Sequence, residues 1–94
     1  MLIELTTFNL AGGTDEAAFL EADRAVQTEL NCREGFVRRT TARGEEGDWL
    51  VMTVWRTGED AERAAPVPSG AGVETLEPLV DAATVGTRRF FTLD

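Results

Sequence analysis

The stretch Trp49-Leu50-Val51-Met52-Thr53-Val54-Trp55 decides the fold, because nearly every position in it is apolar. A strand with one face in water alternates apolar and polar residues, whereas a strand covered on both faces reads as an almost continuous apolar run. This strand is therefore expected to be hidden on two sides. Helices can cover one of them, and in a chain of 94 residues the simplest cover for the other is the sheet of a second copy. A domain of this size buries only about 60 to 65% of the surface its unfolded chain exposes, so a partner subunit would add to a small core.

Working outward, Gly44-Glu45-Glu46-Gly47-Asp48 is a turn, and the run before it, Phe36 to Arg43, is a second extended segment. The two form an antiparallel hairpin. Within Phe36 to Arg43, Arg38 and Thr40 share one side and Val37, Arg39 and Thr41 the other. Leu2 to Leu10 is a first strand, closed by Ala11-Gly12-Gly13. Residues 15–32 read as a helix: Thr14 or Asp15 is the N-cap, Asp15 and Glu16 place acid where the helix dipole favours it, and Gly35 lies beyond the far end. Phe19, Ala22, Val26 and Leu30 fall at helical spacing and mark its buried face.

Downstream, residues 59–65 suit a short second helix that Pro66 ends, and Val67 to Gly72 is a loop. Val73 to Leu79 reads as a further helical turn or two, and Thr84 to Leu93 as a fourth strand. No repeat, low-complexity tract or linker divides the chain, so residues 1–94 are one domain. The order strand, helix, strand, strand, helix, strand is a split βαβ arrangement. The expected class is α+β: a ferredoxin-like βαββαβ fold with both helices on one face of a four-stranded antiparallel sheet.

Composition removes whole classes of function. The net charge of −8 argues against nucleic acid or an anionic membrane as partner, since both require a basic face. No apolar run approaches the roughly 20 residues that span a bilayer. Met1-Leu2-Ile3-Glu4 has no basic n-region, and the expected location is the cytoplasm. Cys32 is the single cysteine, so an intramolecular disulfide and a thiolate cluster are both impossible. The chain has no His, Tyr or Lys, and all nine basic residues are Arg. Ser-His and Cys-His nucleophile pairs, a Schiff-base lysine and a His-ligated haem or metal are thereby excluded. Proton transfer is left to Asp, Glu, the ligand or water, and no cofactor is expected.

Asp23 is the candidate catalytic residue. At about 100° per residue it lies roughly 40° from Phe19 on the helix, among the apolar positions, so its carboxyl faces inward. A desolvated carboxyl beside a cavity can act as a base toward an acidic phenol or enol. The competing expectation is a structural pairing of Asp23 with a strand arginine such as Arg38 or Arg88. Gln27, one turn on, shares its edge and could orient a ligand; the competing expectation is a solvated side chain. Trp49 and Trp55 project to the same strand face, where Trp55 could stack on a planar ligand; the competing role is to fill core or interface. Arg38, Arg56 and Arg88 could clamp a ligand carboxylate or polarise a ligand oxygen, guanidinium being a bidentate fork. Against 17 acids, the competing expectation for most of the nine arginines is pairing or solvation. Cys32 reads as an inert filler.

The segments Gly35-Phe36-Val37-Arg38-Arg39 and Trp49-Leu50-Val51-Met52-Thr53-Val54-Trp55-Arg56-Thr57-Gly58-Glu59-Asp60-Ala61 together resemble the antibiotic biosynthesis monooxygenase-like family. Its members typically carry Gly-Phe at the start of strand two and Trp-Ser-x-x-x-Ala where strand three enters the second helix. The resemblance implies a homodimer of the dimeric α/β-barrel type, with a ligand cavity in each subunit between sheet and helices. Characterised members oxidise aromatic polyketides without metal or flavin, or degrade haem. This chain lacks the histidine that relatives often carry in the second helix, which speaks against haem degradation, and it lacks tyrosine, used by the cofactor-free oxygenases. The expectation is a small dimer that binds an apolar or aromatic metabolite and oxidises it without a cofactor. The alternative is a non-catalytic binding or interaction module of the same fold.

Overall fold

A computed structural model describes residues 1–64 and 76–93. The β-branched and aromatic runs form four strands, β1 (Leu2–Phe8), β2 (Phe36–Arg43), β3 (Trp49–Trp55) and β4 (Gly86–Phe91), with helices α1 (Glu16–Leu30) and α2 (Gly58–Ala64). The sheet is antiparallel throughout, in the order β2-β3-β1-β4. The apolar β3 is thus an interior strand, and the split βαβ layout expected from the sequence is the one observed. Among the described residues, no helix is long and apolar enough to cross a membrane.

Helix α1 begins where its cap allows. The Asp15 side chain accepts from the Ala17 amide at 3.2 Å, satisfying one of the unpaired first-turn donors. Its buried face is Phe19, Ala22, Asp23, Val26 and Leu30. Val26 and Leu30 pack with Ala61 and Ala64 of α2 against Leu2 and Trp55, so both helices cover one face of the sheet. A second apolar cluster, Phe8, Phe19, Trp49 and Val51, lies under the start of α1. In it Phe19 stacks on Phe8 and Trp49 at centroid distances of 5.7 and 4.8 Å.

Several boundaries differ from those read in the sequence, each for a local reason. β1 stops at Phe8 because the β3 ladder ends opposite it at Trp49; Leu10 bridges to Val80 instead. Residues Glu77–Leu79 form a 3-10 turn that accepts Pro78, whose missing N–H is not needed at its first positions. β4 starts at Gly86, not Thr84, because Ala82–Thr84 is a second 3-10 turn, capped by the Asp81 carboxylate. The expected loop Val67 to Gly72, and the expected helical residues 73–75, lie outside the described residues.

The two segments that carry the family resemblance meet in space. Gly35 has φ +80°, a left-handed conformation that favours glycine, and a Cβ there would collide with the Asp60 carboxyl. Its carbonyl accepts from the Arg56 amide at 2.7 Å, and Phe36 packs edge-on against Trp55 at 5.6 Å. Thr57 caps α2 by accepting from the Asp60 amide at 3.1 Å, while its hydroxyl donates to Asp60 Oδ2 at 2.9 Å. That hydroxyl, followed by Arg63 and Arg56, holds the Asp60 carboxyl below its ordinary value against the opposing effect of burial.

Candidate functional site

Residues directly opposite one another in an antiparallel sheet share a face, so the register lays out the helix-covered side in rows. One end row is Phe36, Trp55, Leu2 and Phe91, and the row at the opposite end is Arg43, Trp49 and Phe8. Between them run Arg39, Thr53, Glu4 and Arg89, then Thr41, Val51, Thr6 and Thr87. A band of charge and hydroxyl therefore crosses the sheet between the two apolar clusters, buried at Arg39 and exposed at its β4 end.

Arg39 reaches this band because of a bulge. Between Phe36 and Arg38 the strand advances two residues while β3 advances one, from Trp55 to Val54. The extra residue keeps Phe36 and Arg39 on the same side, where strict alternation would have placed Arg38 beside Phe36. Val37 is left 42% exposed. Arg38 pairs across from Val54 on the uncovered face. Arg88, opposite Leu5, lies on that face as well, its guanidinium 5.0 Å from the Phe90 ring centroid.

Asp23 meets Arg39 and not the arginines named from sequence. Its Oδ1 lies 2.7 Å from Arg39 Nη2, and its Oδ2 accepts from the Thr41 hydroxyl at 2.7 Å. The two side chains are 11% and 6% exposed. The Arg39 contact is close but poorly aligned: buried Oδ1 receives no directed hydrogen bond. Arg39 Nη1 donates only a long bond, 3.5 Å, to Thr41. A guanidinium carries five N–H donors, so among the described residues most of those on Arg39 are uncommitted. Further along the row, Glu4 accepts from Trp55 Nε1 and from Arg89 Nε, each at 2.9 Å.

A cavity of about 850 Å³ opens onto Arg39. Its floor is Thr6, Phe8, Arg39 and Val51 of the sheet, and its wall is the segment before β4, notably Leu76, Pro78, Val80 and Val85. Among the described residues, Glu77 is the one carboxylate lining it. A second cavity of about 640 Å³, near Asn9, Glu16, Arg43 and Trp49, is rimmed by exposed charges and holds no buried cation.

The remaining expected site residues are committed elsewhere. Gln27 donates to Asn31 at 3.0 Å along α1. Trp55 is 3% exposed, fixed by Phe36 and Glu4, and does not line the large cavity. Asp23 stands behind Arg39 and is not among the lining residues. Sequence reading missed Arg39, Thr41 and Thr6; the signal available was that Arg39 and Thr41 share a side. Among the described residues, no group of three or more His, Cys, Asp or Glu side chains could hold a metal.

Comparison with solved structures reaches the same architecture. The chain superposes on SnoaB, a cofactor-independent oxygenase from Streptomyces nogalater, with a TM-score of 0.82 at 19% identity, covering 99% of this chain and 93% of that one. It has the fold of the antibiotic biosynthesis monooxygenase-like proteins. A protein of Nitrosomonas europaea provisionally named an antibiotic biosynthesis monooxygenase matches with a TM-score of 0.78 at 15% identity over all of both chains. Rv0793 from Mycobacterium tuberculosis matches with a TM-score of 0.78 at 13% identity, over 99% and 95%. No family model and no curated protein matches the sequence.

Proposed function

We propose that this chain is a homodimer that binds an apolar or aromatic metabolite above Arg39 and oxidises it with dioxygen, without a cofactor. The observation that carries the reading is the pairing of an apolar cavity with a buried cation, Arg39, at its floor. A structural neighbour, SnoaB, is a cofactor-independent oxygenase. The dimer is supported by the uncovered sheet face, where the register places Ile3, Leu5, Leu50, Met52, Val54 and Phe90 on the side away from the helices. An apolar face of this extent marks an interaction site.

The chemistry suited to such a cavity begins with an acidic CH₂ flanked by aromatic rings. Glu77 takes a proton and passes it to solvent, and Arg39 donates to the oxygen on which the negative charge settles. The carbanion gives its electrons to dioxygen and forms a C–O bond. The resulting peroxide loses water, so that CH₂ plus O₂ becomes C=O plus H₂O. Asp23 acts through Arg39, holding the guanidinium in place, and is therefore a positioning residue. Oxygen uptake with an anthrone tests the reading: one O₂ per quinone formed is expected, and uptake no greater than the buffer control across a panel of anthrones and quinols refutes catalysis.

A second reading, a binding module that keeps the fold without the reaction, is favoured by one specific fact. The buried carboxylate of Asp23 is engaged by Thr41 and Arg39, leaving no carboxylate at the cavity floor among the described residues. Saturable binding of an anthrone without oxygen uptake would select it.

A further inference from the structure

We infer that the large cavity selects a flat apolar ligand carrying one negatively charged oxygen group, and binds that anion in preference to its neutral form. The inference rests on the reading of this cavity as a ligand site. Among the described residues, Arg39 is the only cation that lines it, and its side chain is 6% exposed. The Asp23 contact leaves Oδ1 without a directed hydrogen bond and Arg39 Nη1 makes only a long bond to Thr41, so among the described residues most of the guanidinium's five donors remain open to an acceptor in the cavity. Asp23 stands outside the lining, so the ion pair presents its positive end to the cavity.

The remaining lining residues limit the ligand further. Phe8, Val51, Leu76 and Val80 offer apolar walls, and the Thr6 hydroxyl, 3.1 Å from that of Thr87, is the polar neighbour able to join Arg39 at the ligand oxygen. Glu77 places a negative charge on the wall. A second anionic group, such as a phosphate, would meet that carboxylate and the net charge of −8 of the whole chain. One oxyanion on an apolar ring system is the class that fits. It could be a carboxylate or an ionised phenol or enol, which share the same recognition by guanidinium.

Titration calorimetry with 1-naphthoate, methyl 1-naphthoate and 2-naphthol tests this on the intact chain. Naphthoate should bind roughly ten- to hundredfold more tightly than its ester, the range expected when a charged acceptor meets a buried guanidinium. The preference should vanish in the double variant Asp23→Leu with Arg39→Met, which removes both charges and leaves no unpaired ion to unfold the chain, while the ester still binds. If the ionised form of 2-naphthol appears at lower pH when bound, the site also takes phenolates; an unchanged titration with tight naphthoate assigns it to carboxylates. Ester and acid binding equally well overturns the inference and leaves the cavity reading standing. Failure of both to bind overturns the two together.

Discussion

The two faces of the sheet each depart from what solubility alone would give: the covered face holds charge between its two apolar clusters, and the open face carries apolar side chains. The helix-covered face carries Arg39, Glu4 and a row of threonines through its centre, with Arg89 at its exposed β4 edge. The uncovered face carries Ile3, Leu5, Leu50, Met52 and Val54, and Phe90 at 39% exposure. A monomer evolved only to be stable would place charge outside and aliphatic side chains inside. The proposed ligand site lies where the core is charged, and the proposed dimer interface where the surface is apolar.

The largest effect should come from breaking the charged face. Arg39→Met leaves the Asp23 carboxylate buried without a counter-ion, which typically costs about 3–5 kcal/mol. Adding Asp23→Leu should restore most of that loss, since a buried pair replaced by apolar residues is often neutral or stabilising. Urea denaturation of the single and double variants checks this. If Arg39→Met unfolds no more easily than the native chain, the pair is solvated, and the covered face is less closed than its geometry indicates.

The apolar face is broken by Met52→Asp. In a symmetric interface each substitution acts twice, and a carboxylate there should cost roughly 2 kcal/mol or more, above tenfold in the dimer dissociation constant. Light scattering should then report the 10.2 kDa chain at concentrations where the native protein has twice that mass. A native protein that is already monomeric at micromolar concentration would remove the interface and leave the uncovered face unexplained.

Much of this contrast was legible in the sequence. The unbroken apolar run of β3 implied cover on both sides, and the helical spacing of Phe19, Val26 and Leu30 carried Asp23 inward with them. What could not be read was which arginine meets it. That choice depends on a bulge beside Val37, and a bulge is set by pairing with β3, not by the composition of β2. Arg38 and Arg39 are adjacent and chemically identical, so one inserted residue in the ladder decides which becomes a buried cation and which stays at the open face. The cavity was equally hidden, since its wall is made by 3-10 turns around Pro78 and Ala82 that have no strong periodicity.

A smaller effect separates the site from the joint beside it. Because the Asp60 carboxyl titrates below its ordinary value of 3.8, its contribution to stability is fully present above that value and is lost as the pH falls through the folded-state value. The stability difference between the native chain and Asp60→Asn should therefore be constant near neutrality and shrink below about pH 4. A difference that grows on acidification would mean the carboxyl is held neutral in the fold. Thr57→Ala, which removes the cap of α2, should cost about 1 kcal/mol and leave ligand binding at Arg39 unchanged.

The smallest effect is the sharpest control on the covered face. Arg43 and Glu16 join β2 to α1 just as Arg39 and Asp23 do, at 2.9 Å, but their side chains are 58% and 47% exposed. The two pairs run in opposite directions along strand and helix, so together they hold α1 antiparallel to β2. In water the outer pair should contribute little, and Arg43→Ala should cost about 0.5 kcal/mol or less. High salt should abolish even that, because exposed charges are screened, while the cost of Arg39→Met stays nearly constant. If the two substitutions cost the same, burial is not what distinguishes them, and the charged band is an ordinary surface feature that the helices merely overhang.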